Sequence, residues 1–327
     1  MQPSSHTHPV LSHRLAVFGM VMVTALWATA GVLARQIRYA RGVEVTFWRS
    51  VFTAAAMMLI LHFWRGADFW RRTNWRDRTL WSSALCWSVM FTAFMMAMSF
   101  TTVANVLIMV ALGPVFTALS SRIFLKHRLP LRTWCTILLA VAGIVYMYAS
   151  QFRVAHQREL IGLGIALLVP FAASFQWVLM HREKQHACNA QPATQTAAAD
   201  TTPPAESRDM LPAIILGATL SALYCLPFAM PPQASAADMG WLAILGTFQL
   251  AIPCGLIVIV SRSLHAPELS LLGLLETIFG ILFTWWGAGE VPSSSVIIGG
   301  SVVIGALAVN ELLSWRQRSF STLSCSA

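Results

Sequence analysis

The chain has 327 residues, 57% of them hydrophobic and only 11% charged, and its mean hydropathy of +0.64 excludes an ordinary soluble globular protein. That much apolar length also exceeds what a single anchor uses, so the composition is that of an all-α polytopic membrane protein with the lipid bilayer as its surroundings. The formal charge of +9 lies in short basic clusters between apolar runs, and no helix-turn-helix or RNA-binding pattern accompanies it, so no nucleic-acid partner is expected.

Residues 1–14 form a polar tail in which His6, His8 and His13 read as solvated side chains rather than metal ligands. Marking apolar runs between charged breaks then gives ten candidate transmembrane helices, near 15–34, 45–64, 79–98, 103–121, 133–150, 160–180, 211–230, 240–260, 267–286 and 294–313. The first is too long for a signal-peptide core and has no convincing cleavage site, so it is retained as a helix. Residues 181–210 are rich in Ala, Thr, Pro and Gln, a composition that predicts a disordered linker between the sixth and seventh helices. A second polar tail covers 315–327.

The six cysteines, Cys86, Cys135, Cys188, Cys225, Cys254 and Cys325, form neither a disulfide framework nor a CxxC pair, and no metal or cofactor is expected. With the N-terminus in the cytoplasm, sixteen Lys and Arg fall on the inner side and six on the outer. That bias puts both termini and the linker in the cytoplasm, with Arg35, Arg38 and Arg41 dissenting.

The stretch from His265 to Ser314 reads as a transmembrane hairpin, and its first helix carries one carboxylate, Glu276, about 14 Å beyond the entry at Pro267 at about 1.5 Å per residue. A helical wheel puts Gly273, Gly280, Thr284 and Gly287 on the same face, where small residues admit a neighbouring helix or a ligand. Glu276 therefore points into the protein, either as a structural carboxylate or as a functional one.

The hairpin also repeats. Sliding it back by 163 residues lays LLETIFGILFTWWGAGEVP over ALGPVFTALSSRIFLKHRLP, with Phe279 on Phe116, Glu290 on His127 and, after a one-residue gap, Gly305 on Gly143. Five helices per copy force the second copy to insert upside down, which gives ten transmembrane helices as two inverted five-helix repeats and a midplane site at their interface.

These repeat endings, with the opening ALWATAGVLAR and the FWRSVFTA of the second helix, resemble the EamA-type branch of the drug/metabolite transporter superfamily over about residues 15 to 314. On that resemblance, 15–150 and 160–314 are two EamA-type repeats, the second interrupted by the 181–210 linker. The family's usual Gly-Glu pair is Lys126-His127 in the first half and Gly289-Glu290 in the second. The resemblance implies a secondary transporter, commonly an exporter, of small metabolites such as amino acids or related amines in the cell's cytoplasmic membrane.

The residues add a candidate substrate site. Glu276 stands opposite Gly113, Thr117 and Ser120 on the counterpart helix, with Asn105 toward the outer end and Pro114 able to free backbone carbonyls. Close helix packing, with hydroxyls bonded to the i−4 carbonyl, accounts for the same face equally well. Gln176, Trp27 and Trp177 join the list, Gln176 because an amide in hydrocarbon must bond across helices or to substrate. Arg49 reads either as snorkelling to the headgroups or as an anion site. Glu276 is also the candidate to carry a coupling proton, since a proton and a substrate cation would compete for it.

An enzyme is not expected: there is no HExxH, GxSxG or P-loop, and no aspartate pair in the spans. A facilitative uniporter and a non-transporting scaffold or sensor remain as alternatives. Oligomeric state and substrate identity are not legible.

Overall fold

The computed structural model describes residues 11–34, 36–40, 42–101, 103–124, 130–148, 157–196, 209–288, 294–295, 297–306 and 309, and every regular element among them is helical. In chain order these are α1 (His13–Ala28), α2 (Ala30–Ala34), α3 (Gly42–Arg65), α4 (Ala67–Arg72), α5 (Arg78–Phe100), α6 (Val103–Val110), α7 (Gly113–Phe124) and α8 (Leu131–Tyr148). There follow α9 (Gln157–Thr196), α10 (Pro212–Ala229), α11 (Ala236–Ile244), a π-helical turn (Leu245–Ala251), α12 (Ile252–Val260), α13 (Ala266–Gly273), α14 (Leu275–Ala288) and α15 (Ile297–Ala306).

Six helical segments are long and apolar enough to cross a bilayer: His13–Ala34, Gly42–Arg65, Arg78–Phe100, Gln157–Glu183, Pro212–Ala229 and Ala236–Val260. Their outward surface is apolar as well, with Phe63 82% and Phe228 76% exposed, which water would not tolerate on this scale and hydrocarbon does. The chain is a multi-pass membrane protein.

Local signals set the ends of these helices. Ser12 Oγ accepts from the Leu15 amide and Asp77 Oδ1 from the Thr79 amide, each satisfying a donor the first turn leaves free. Ser235 and Asp238 close a reciprocal capping box on α11. Gly66, at φ 75°, turns the chain out of α3 in a conformation that a side chain would strain. The helix α9 continues to Thr196, inside the stretch read as a linker; residues 197–208, the tail 315–327 and the turn residues Lys126, His127, Gly289 and Glu290 lie outside the described residues.

The larger core lies where α5 packs on α9, and where α3, α5 and α10 meet. Trp87 is fully buried there, edge-to-face with Trp177 at 6.4 Å between ring centroids. Gly217 of α10 makes the contact close, because a Cβ on it would meet the Trp87 Cβ at 2.5 Å and the Ala84 carbonyl at 2.8 Å. Hydroxyls lock the same interface: Ser50 Oγ donates to Ser221 Oγ at 3.0 Å, and Thr92 Oγ1 shares a hydrogen with Ser221 Oγ at 2.8 Å. A second cluster joins α7, α8, α13, α14 and α15 around Ala118, Ile137, Ile144, Leu274 and Val303. Within it a Cβ on Gly143 would meet the Gly299 carbonyl at 2.9 Å.

At one end of the molecule Asp209 holds two arginines, Arg65 at 3.3 Å and Arg262 at 3.5 Å, tying the end of α3 and the chain beyond α12 to the start of α10. At the other, Glu44 Oε1 accepts from the Gln233 and Ala234 amides, and Asp238 accepts from the Arg38 and Tyr39 amides.

Gly217→Val should therefore cost about 1–3 kcal/mol by overpacking. The reading is the thermal midpoint of purified protein in detergent, with Gly164→Ala, where an added Cβ meets nothing within 4 Å, as the unchanged control.

Candidate functional site

Two helix breaks face each other in the middle of the molecule. Pro114 has no amide hydrogen, so the Val110 carbonyl loses its i+4 donor and the chain opens at Ala111 and Leu112 between α6 and α7. The second break, at Leu274 between α13 and α14, has no proline; Leu274 N and Thr277 N instead make tight i−3 bonds to Leu271 O and Leu274 O, both at 3.1 Å. Glu276 falls in the first turn of α14, where the helix end favours a negative charge. The segment α13 packs against α7 and α1, which brings the two breaks to one place.

A cavity of about 130 Å³ opens there. Glu276, Thr277, Gly273 and Ser270 form one wall, and Gly113, Pro114, Ala111 and Val110 another. Trp27, Trp87, Phe91, Phe94 and Trp177 supply an aromatic lining. The remaining polar groups are Arg49 of α3 and Gln249 of the π-helical turn. An extra residue in that turn rotates Gln249 off the α-helical register, and π-helical turns recur at functional sites for this reason. Gln249 Nε2 donates to the Trp27 carbonyl at 3.3 Å, leaving its Oε1 buried and without a partner.

Of the residues singled out from sequence, Glu276, Gly113, Trp27 and Trp177 come together on the cavity wall. Thr117 and Gln176 do not. Both are fully buried away from it: the Thr117 hydroxyl has no partner, and Gln176 Oε1 accepts from Ser83 Oγ at 2.9 Å, the cross-helix bond that a buried amide in hydrocarbon needs. Ser120 bonds Ser174 at 3.1 Å, tying α7 to α9. Asn105 lies in α6, and its side chain, like those of Thr284 and Gly287, is outside the described residues. Gly280 has open space beside it and is not on the cavity wall.

Arg49 lines the same cavity. Snorkelling is ruled out: the residue is 2% exposed, donates through Nη2 to the Phe91 carbonyl at 3.1 Å, and leaves Nε buried without a partner. It is held between α3 and the π-helical turn, where a Cβ on Gly246 would meet the Arg49 carbonyl at 2.6 Å. Gln249 was missed in the sequence reading because a π-turn leaves no apolar-periodicity signal; the amide in an apolar run was the signal available.

Comparison with known proteins agrees with this architecture. Residues 14–149 match the EamA-like transporter family. A Bacillus subtilis (strain 168) protein named uncharacterized transporter YdfC is 24% identical over 210 residues, which cover 63% of this chain and 61% of that relative. A solved crystal structure superposes with a TM-score of 0.71 at 16% identity, covering 92% of this chain and 100% of that one, a likeness of fold. Within this multi-pass chain, residues 14–149 are thus similar to the EamA-like transporter family.

Proposed function

We propose that the chain is a secondary transporter that moves a small metabolite across the cytoplasmic membrane by alternating access, with the central cavity as its binding site. The observation that carries this reading is the meeting of two broken helices at a cavity with an unpaired carboxylate. Discontinuous helices at a repeat interface are how transporters expose backbone and charge to a substrate within hydrocarbon. Further support comes from register: the offset of 163 residues that aligns the repeat endings lays Leu274 on Ala111 and Glu276 on Gly113, so both breaks fall at the same place in the two halves.

On this reading the broken pairs α6–α7 and α13–α14, with α8 and α15, bring the six long spans to ten, arranged as two inverted five-helix repeats. Residues 15–150 and 160–314 are the repeats, and both termini and the 181–210 segment face the cytoplasm. Export is the direction the family resemblance implies. No hydrogen bond or ion pair holds Glu276 among the described residues, and a carboxylate lining a largely apolar cavity is favoured when it binds a proton or a cation. Competition between the two at Glu276 is a sufficient antiport mechanism.

Glu276→Gln imitates the protonated side chain with little change of size. In inside-out vesicles it should abolish accumulation driven by a pH gradient while leaving exchange down a substrate gradient, across a panel of amino acids and amines. Unchanged pH-driven uptake in the variant returns Glu276 to a structural role, and wild-type flux indifferent to pH identifies a uniporter. Gly113→Leu should fill the cavity and reduce flux at least about tenfold without loss of protein from the membrane. Topology is checked in a variant lacking the six native cysteines: a cysteine at Gln233 should react with an impermeant thiol reagent in intact cells, and one at Ala198 should react only after lysis.

A further inference from the structure

From the last turn of α3 into the first turn of α5 the chain reads WRGADFWRRTNWRDRTLW, with four tryptophans and five arginines in eighteen residues. Only two acids oppose that charge, Asp68 and Asp77, and Asp77 is engaged at the α5 cap, where it accepts from the Thr79 amide at 3.0 Å. Arg65 reaches Asp209 at 3.3 Å, and its guanidinium carbon lies 4.9 Å from the Trp64 ring centroid. Arg71, Arg76 and Arg78 are exposed, and no acidic side chain pairs with them among the described residues.

The tryptophans of this segment are held in place by its own backbone. Trp75 Nε1 donates to the Trp70 carbonyl at 3.2 Å and Trp81 Nε1 to the Trp75 carbonyl at 2.7 Å, while the Trp70 and Trp75 rings lie parallel, 1° apart in tilt, with centroids at 6.1 Å. An indole has a single polar atom, a donor. In Trp75 and Trp81 a main-chain carbonyl already takes it, so these two exposed residues present apolar ring to their surroundings. Water gives no reason to display such rings among unpaired arginines. The edge of a bilayer suits both, with acyl chains for the rings and headgroups for the charges. The short helix α4 and the capped turn after it take up the connection between two spans, which keeps the segment at that edge.

We propose that the α3–α5 connection is a docking surface for anionic phospholipids, with Arg71, Arg76 and Arg78 seating the headgroup phosphate and the rings of Trp75 and Trp81 resting on the acyl boundary. Charge complementarity selects the occupant. Unpaired guanidiniums attract phosphate, and their fork of donors matches its oxygens. The exposed rings require that the phosphate arrive attached to an apolar tail, which a free phosphate ester lacks. A zwitterionic headgroup carries its own cation beside the phosphate and gains less from the same arginines. Recognition of this kind is independent of what the central cavity carries.

The test titrates the full-length protein, in an uncharged detergent, with phosphatidylglycerol, phosphatidylcholine and the soluble ester glycerol 3-phosphate, and counts bound molecules by native mass spectrometry. Phosphatidylglycerol should bind at least about tenfold tighter than phosphatidylcholine, and the preference should shrink as salt is added. Combining Arg71→Gln, Arg76→Gln and Arg78→Gln should bring the two lipids close to parity, while Lys at the same three positions should keep most of the preference. Trp75→Ala should weaken both lipids alike, since the ring meets the tail rather than the charge. Arg158→Gln, which removes a cation at the opposite end of α5, should change nothing. The proposal is overturned if the wild-type protein shows no preference, if the folded triple Gln variant retains it, or if Arg158→Gln removes as much of it as the triple variant does. Glycerol 3-phosphate binding as tightly as the lipid overturns it as well, by making the partner a soluble phosphate ester.

Discussion

A polar group inside hydrocarbon has no water to fall back on, and the arrangement of this chain follows from how each such group is satisfied or deliberately left open. Along the packed helix faces the answer is local. Ser50, Thr92 and Ser221 bond one another between α3, α5 and α10, and Ser83 meets Gln176 between α5 and α9. Many other hydroxyls return to their own helix, as Thr24 does to Met20 and Val21 and Thr53 to Arg49. Carboxylates near the helix ends are spent on backbone amides, Glu44 on the loop before α11 and Asp238 on the loop before α3.

Against that background the polar groups of the cavity stand apart. Arg49 Nε and Gln249 Oε1 are buried without partners and, like the Glu276 carboxylate, belong to residues lining the cavity; Arg49 packs beside the π-helical turn, Gln249 lies in it, and Glu276 is two residues past the break at Leu274. Regular α-helix consumes its own backbone donors and acceptors and points side chains on a fixed schedule. Departing from it is what frees the Val110 carbonyl and re-aims Gln249. Tight packing elsewhere, such as Gly217 against Trp87 and Gly246 against Phe52 and the Arg49 carbonyl, keeps those departures from spreading.

Much of this was legible from residues. Length and apolarity of the runs announced the spans, because a bilayer imposes a single length scale on any helix crossing it. Glu276 was legible because a carboxylate amid ILFTWW-type sequence has no bland surface role, and Gly113 because it precedes a proline within an apolar run. Thr117 and Gln176 were chosen for polarity in the same way, but polarity does not say which side of a helix is served; Gln176 turns to Ser83 rather than to the cavity. Arg49 near a helix end was undecidable by sequence, since a long side chain can reach water or be walled in, and only the close approach of the π-helical turn determines which. The break at Leu274 left no trace, having neither proline nor glycine at the break itself.

The two ends of the molecule are held by different groups. At the Asp209 end the closure is a pair of arginines on one partly buried carboxylate, which also accepts from the Leu211 amide at 3.1 Å. At the Glu44 and Asp238 end it is made of carboxylates accepting from main-chain amides, four such bonds between 2.8 and 3.1 Å. Charge-assisted bonds to backbone fix loops as well as side chains, so releasing them requires loop displacement. The loops before α3 and α11 are thus tied by their own main chain, while α3, α10 and the chain beyond α12 are joined at the other end mainly through side chains.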